Sequence, residues 1–170
     1  MSQGNRSSDF SIHVAKENLK FSAAHFIAYP GFREPLHGHN YQVGIKVEGG
    51  LTNTGYVLDF GLVKKITREI VERLDEHTII PAQSDCLAIH RHDGQVTVVY
   101  EGDSFVFPAS DVALLPIAHS SAEELARFIW TELHSELLRR KSLRNINAME
   151  VSVAEGPGQM AIYRQEFFQR

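Results

Sequence analysis

The chain has a single cysteine, Cys86, so it cannot form an internal disulfide. That usage fits a reducing cytoplasm. It also lacks a basic surplus. The formal net charge is −4, which removes the global positive footprint of a nucleic-acid-binding protein. Long apolar runs are missing too, and none approaches the roughly 20 residues of a membrane-spanning helix. The opening stretch, Met1–Asp9, is polar and has no apolar segment of the signal-peptide kind, so it is expected to be a flexible tail. What remains is an ordinary globular composition, 43% hydrophobic in 170 residues, enough for one domain over residues 10–170 with a core of its own.

The informative stretch runs from His25 to Tyr41 and holds three histidines, two of them in His37-Gly38-His39. In an extended strand, residues two apart share a face. His37 and His39 are in phase with Tyr41, Val43, Ile45 and Val47, whereas Gln42, Lys46 and Glu48 hold the other parity. Before the loop, His25 is in phase with Leu19, Phe21, Ala23 and Ile27, against Lys20 and Ser22. All three imidazoles are therefore expected to point inward from strand ends, with Gly38 allowing close backbone approach. Three such ligands and an open fourth position are the donor set of a catalytic zinc ion, although iron or nickel also binds imidazole. One inward histidine, or even two, is commonly a hydrogen-bonded core residue; three in one phase favour a metal.

The rest of the chain reads as strand, strand, helix, hairpin, helix, strand, strand. Phe10–Val14 opens a strand that continues past a bend or hairpin turn at Glu17-Asn18 into 19–27. The loop Tyr29–Leu36 has two prolines and a glycine, and a strand follows from His39 to Val47. Asp59 is placed to cap a helix whose apolar residues Leu62, Val63, Ile66, Ile70 and Leu74 recur at helical spacing, ending near Asp75-Glu76-His77. Residues 81–118 look like an insertion built on a hairpin, Ala88–Tyr100 around Asp93-Gly94, with a further strand at 104–107. Ser120 and Ser121, with Glu123 and Glu124 following, form a capping box for a helix striped by Leu125, Ile129, Leu133 and Leu137. Strands at 149–155 and 161–168 close the chain. The pattern is α+β: an antiparallel sheet with two helices on one face and an inserted hairpin. Glu155 shares parity with Met149, Val151 and Val153, so it either faces inward to await a ligand's donors or lies just past the strand end in solvent.

These residues resemble the family of 6-pyruvoyl-tetrahydropterin and 6-carboxytetrahydropterin synthases. The resemblance is carried by Phe21-Ser-Ala-Ala-His25, Leu36-His-Gly-His-Asn-Tyr41, Gly55-Tyr-Val-Leu-Asp-Phe60, Leu74-Asp75, Ser121-Ala-Glu123 and Val153-Ala-Glu155, in that order from about residue 10 onward. It implies a tunnelling fold (T-fold), zinc on His25, His37 and His39, and a pterin anchored by Glu155 with Ser120 and Ser121 as further substrate contacts. It also implies a homohexamer of two stacked trimers with sites between subunits. Most members have a catalytic cysteine in the loop before His-Gly-His. This loop has Glu34 instead, and resembles the glutamate-bearing branch known from malaria parasites and some bacteria, which makes 6-hydroxymethyl-7,8-dihydropterin from 7,8-dihydroneopterin triphosphate.

A second departure follows the first helix. The family has Leu-Asp-His, with the Asp-His pair assisting the base; this chain reads Leu74-Asp75-Glu76-His77. On a helix end, one residue is about 100° of rotation. Either the helix stops so that His77 reaches the site, or His77 is simply a helix-terminal residue. The expected catalytic set is Glu34 as base, with Asp75 and His77. Arg33 is either a triphosphate contact or an exposed loop arginine. His90 and His92 are expected on an exposed hairpin tip, and Cys86 is expected to be a structural thiol. Three functions remain open: a zinc lyase giving 6-hydroxymethyl-dihydropterin, a 6-pyruvoyl- or 6-carboxytetrahydropterin synthase, or a non-catalytic pterin-binding protein.

Overall fold

The computed structural model describes residues 10–167; the expected N-terminal tail lies outside them. In chain order the elements are β1 (Phe10–His25), a short ribbon of β2 (Ala28–Tyr29) and β3 (Phe32–Arg33), β4 (His37–Gly49), α1 (Phe60–Val71), β5 (His77–Pro81), β6 (Ala88–His92), β7 (Gln95–Tyr100), β8 (Asp103–Pro108), β9 (Val112–Leu115), α2 (Ala122–Arg139), β10 (Ile146–Gly156) and β11 (Gln159–Glu166). Six strands form the main sheet in the order β11-β10-β4-β1-β5-β9, and β6-β7-β8 form a second sheet. Among the described residues, no helix is long and apolar enough to cross a membrane.

The bend expected at Glu17-Asn18 is a register shift inside one continuous strand, between Ala15 and Lys20. The pattern requires it. Val14 is buried with an even number, whereas Leu19, Phe21 and Ala23 are buried with odd ones. A strand can change phase without turning its core face outward only by inserting an odd number of residues, as a bulge does. Beyond the shift, β1 and β4 pair antiparallel down to His25 opposite His37.

Both helices pack on one face of this sheet. Val63, Ile66 and Ile70 of α1 join Leu125, Ile129, Leu133 and Leu137 of α2 over Phe21, Tyr41, Ile45, Met149 and Val151 in a single core. Asp59 caps α1 by accepting from the Gly61 amide, and Ser121 caps α2 by accepting from the Glu124 amide. Of the expected capping box, the second half is used otherwise: the Glu124 carboxylate accepts from Arg127. Leu133 is fully buried, so Leu133→Ala is expected to cost about 2–5 kcal/mol of unfolding free energy, read from a urea melt.

Three expectations are corrected. The main sheet is not antiparallel throughout, because β5 joins β1 in parallel and β9 joins β5 in parallel. The segment read as a helix end is a turn leading into a strand: α1 stops at Val71, residues 72–76 form the turn, the chain reverses at Glu76 with a left-handed φ of 58°, and β5 begins at His77. That releases the β-branched run Thr78-Ile79-Ile80, which suits a strand. Also, the 81–118 insertion is more than a hairpin. Its three-stranded sheet forms a second core with Phe26, Ala28 and Ile80 under the β2–β3 ribbon, and β9 goes to the main sheet.

Candidate metal centre and active site

β1 and β10 end where β4 begins, and the three histidines converge there. One ring nitrogen from each of His25, His37 and His39 lies within 4.8 Å of the other two. A tetrahedral zinc with bonds of about 2.0–2.1 Å sets its nitrogens about 3.3 Å apart, so small side-chain rotations close the set. Inward phase alone overstates their burial. His25 is buried, but His39 is half-buried and His37, the first residue of β4, is exposed.

Two of the rings are held by backbone. His25 Nδ1 lies 2.7 Å from the Ser120 carbonyl, and His37 Nδ1 lies 2.8 Å from the Pro35 carbonyl. A carbonyl accepts, so Nδ1 carries the proton and Nε2 presents its lone pair, as metal-bound imidazoles are commonly oriented. His25 Nε2 is buried with no hydrogen-bond partner. A buried lone pair left so is costly unless a ligand meets it, and this orphaned atom makes the trio fit a metal. Burial lowers the pKa of His25, against the opposing bond to Ser120 and with help from neighbouring His37, keeping it neutral and ready to ligate.

Glu155 proves to be inward. Its Oε1 is 4.0 Å from His25 Nε2, and its side chain is 22% exposed. The Tyr41 hydroxyl is likewise buried without a partner, and its pKa is pushed up by burial and then by the Glu155 carboxylate. Beside these groups an open pocket of about 620 Å³ is lined by Gly38, His39, Asn40 and Glu155, a volume in the range of small-molecule sites.

Glu34 closes the base of the β2–β3 ribbon. Its amide donates to the Ile27 carbonyl at 3.0 Å, and its Oε2 accepts from the Ile27 amide at 3.0 Å. Its charge is the smallest of the causes that raise the Tyr41 pKa, after burial and the Glu155 carboxylate. Ser120 is fully buried: its hydroxyl donates to the Phe26 carbonyl, and its carbonyl orients His25. Ser121 is engaged as the α2 cap. Asp75 accepts from the Ser22 amide at 2.7 Å, and the Glu76 amide donates to the Ser22 carbonyl at 2.7 Å, so this turn docks on β1. The extra residue is thus absorbed by a turn, not by helical rotation. His77 stands opposite Ala23, with Nδ1 2.5 Å from the Asp75 carbonyl, and borders a groove also lined by His39 and Asn40. It is not part of the three-histidine cluster.

The profile of the 6-pyruvoyl tetrahydropterin synthase family matches residues 13–166. The chain belongs to this family. It is an enzyme of the tetrahydropterin synthase type, of pterin metabolism, with an α+β T-fold. A putative 6-carboxy-5,6,7,8-tetrahydropterin synthase of Methanocaldococcus jannaschii is 36% identical over 148 residues, covering 86% of this chain and 90% of that one. The 6-pyruvoyl tetrahydropterin synthase structure of Plasmodium falciparum superposes with a TM-score of 0.90 at 38% identity, covering 95% of this chain and all of that one. A Plasmodium vivax synthase of the family, with a glutamate described as its catalytic residue replaced by alanine, superposes equally well, at 36% identity and with the same coverage.

Within the family's site, sequence reasoning missed two kinds of group. Tyr41 reads as one more apolar strand residue, although its hydroxyl reaches the centre. The Pro35 and Ser120 carbonyls that orient the ligands have no side-chain signature at all.

Proposed function

We propose that the protein is a zinc-dependent lyase that converts 7,8-dihydroneopterin triphosphate to 6-hydroxymethyl-7,8-dihydropterin for folate synthesis in the cytoplasm. Glu34 carries the proposal. It is the one acidic residue of a loop, Tyr29–Leu36, that contains no cysteine, and it is tied to Ile27 two residues beyond His25. The glutamate named as catalytic in the Plasmodium vivax synthase supports giving Glu34 that role.

The residues divide the work as follows. His25, His37 and His39 would hold the zinc, which when bound supplies Lewis-acid polarisation of substrate oxygen. Glu155 accepts from the ring N–H and amino groups of the pterin, which places the side chain toward the histidines. Glu34 takes the proton from the hydroxyl on the second side-chain carbon. The bond between the first and second carbons breaks, and its electrons form a double bond from the first carbon to C6 while the C6–N5 imine pair moves onto the ring nitrogen. The first carbon then takes up a proton, for which His77, oriented by the Asp75 carbonyl, is the candidate donor. The second carbon leaves as a two-carbon aldehyde still bearing the triphosphate. Ser120 serves by holding His25, and Ser121 by starting the helix behind it. Assembly as a homohexamer of two trimers is part of the proposal. It is supported by the edge strand β11, whose Met160 and Ile162 are 60% and 53% exposed and gain cover when an edge is paired.

One alternative has an observation behind it: the archaeal relative is named for the 6-carboxy product. Mass spectrometry of the product from zinc-loaded protein and 7,8-dihydroneopterin triphosphate separates the two. The hydroxymethyl product is expected. A carboxy or pyruvoyl product would overturn the proposal, and binding without turnover would leave a pterin-binding protein.

A further inference from the structure

The β2–β3 ribbon that carries Glu34 cannot hold its own position. Each strand is two residues long, joined by a turn at Gly31 with φ of 81°, and an isolated two-stranded ribbon is marginal in water at best. Beyond the two Glu34–Ile27 bonds at its base, what fixes it comes from about 70 residues away, mostly from one place, the turn between β7 and β8.

Four ties converge there. The Tyr100 hydroxyl donates to the Tyr29 carbonyl at 2.9 Å, and the Gly31 amide donates to Glu101 Oε1 at 3.1 Å. Arg33 donates from Nε and Nη2 to one oxygen of Asp103, at 3.1 and 2.6 Å. Its guanidinium also lies 4.9 Å over the Phe105 ring, and Phe105 stacks on Phe26 at 5.0 Å. The remaining Arg33 contact is with Glu34 itself: Nη1 donates to the Glu34 carbonyl at 2.8 Å. Arg33 is therefore engaged in this clamp, with Asp103 of the inserted sheet and with the Glu34 carbonyl of the loop. Glu101 takes a left-handed φ of 51°, which tightens the gripping turn.

We propose that the Tyr100–Asp103 turn of the inserted sheet is a clamp that aims Glu34 at the substrate, with Asp103 as a positioning residue acting through Arg33. The inference rests on Glu34 being the base. Asp103 is 58% exposed, so the ion pair is screened and adds little to global stability. Its effect lies in the direction of the carboxylate, where displacements of about 1 Å are known to cost up to two orders of magnitude in rate.

The test uses full-length zinc-loaded protein with Asp103→Asn, Tyr100→Phe and Asp103→Glu, each also combined with Glu34→Ala. In Asp103→Asn, kcat is expected to fall on the order of tenfold, with KM, zinc content and melting temperature near wild type. Asp103→Glu should recover part of the loss. On the Glu34→Ala background Asp103→Asn should change nothing further, because a clamp acts only through the group it aims. Amide hydrogen exchange at residues 27–34 should accelerate on the order of tenfold in Asp103→Asn and Tyr100→Phe, with α1 and α2 unchanged. Full additivity with Glu34→Ala, or unchanged exchange at 27–34, would overturn the clamp. If Glu34→Ala alone keeps full turnover, the base assignment fails, and the exchange measurement still decides whether the turn holds the loop.

Discussion

Glu34→Gln is expected to reduce turnover by about 10²–10⁴-fold, the usual contribution of a positioned general base. Glutamine is the informative replacement. Its side-chain oxygen still accepts from the Ile27 amide, as Glu34 Oε2 does now at 3.0 Å, and the backbone bond that closes the ribbon is untouched. The loop therefore keeps its shape and loses only the ability to take a proton. Zinc content should stay at wild-type level, because the variant leaves all three histidines and the Pro35 carbonyl behind His37 intact. Pterin affinity should also hold, since Glu155 lies on a different strand. The measurements are single-turnover rate, metal content and pterin binding on one preparation. Near-wild-type turnover by Glu34→Gln would remove Glu34 from the chemistry. Loss of turnover together with loss of zinc would instead mean that the loop organises the metal centre.

His37→Ala is expected to abolish stoichiometric zinc binding, and turnover with it. Losing only an orienting partner of a metal ligand commonly costs 10–100-fold in affinity, so losing one of three ligands must exceed that. His37 is also the cleanest of the three to remove. Its side chain is exposed, and its one recorded hydrogen bond is to Pro35 in the adjacent loop. His25→Ala would confound the result, because His25 is buried against the Ser120 carbonyl and its loss leaves a hole and an unmet acceptor. The readout is the melting curve after chelation, with and without added zinc. Saturating metal at about a hundred times its dissociation constant stabilises a protein by about 2.7 kcal/mol. Wild type should show that gain and His37→Ala should not, while the metal-free melting temperatures of the two stay close. A retained zinc shift in His37→Ala would mean that the ion is held elsewhere.

Much of this centre could be read from residues alone, for a physical reason. A strand alternates with period two, so a histidine in phase with Phe21 or Val43 must lie on their face, whatever the rest of the chain does. The helices were equally plain except for the end of α1, since their apolar stripes and the Asp59 and Ser121 caps are local. Other features are not local. Whether Glu155 ended in solvent or in the site depended on how far β10 stays paired, which the strand's own pattern does not contain. The fate of Asp75-Glu76-His77 depended on Ser22 of β1, which offers the amide and carbonyl that the turn binds. The parallel additions of β5 and β9 are long-range pairings between segments without distinctive alternation.

The inward phase of His25, His37 and His39, the two helices, and the presence of glutamate where a cysteine is usual in the family were contained in the order of residues, because periodicity and side-chain chemistry need no neighbours. The tertiary structure alone decided that His25 Nε2 is left without a partner, that the Ser120 and Pro35 carbonyls choose which nitrogen faces the centre, and that the Tyr100–Asp103 turn grips the Glu34 loop. Those are meetings of groups up to 95 positions apart. They exist only after the chain has closed on itself, and they are what turn three in-phase histidines and one loop carboxylate into a site.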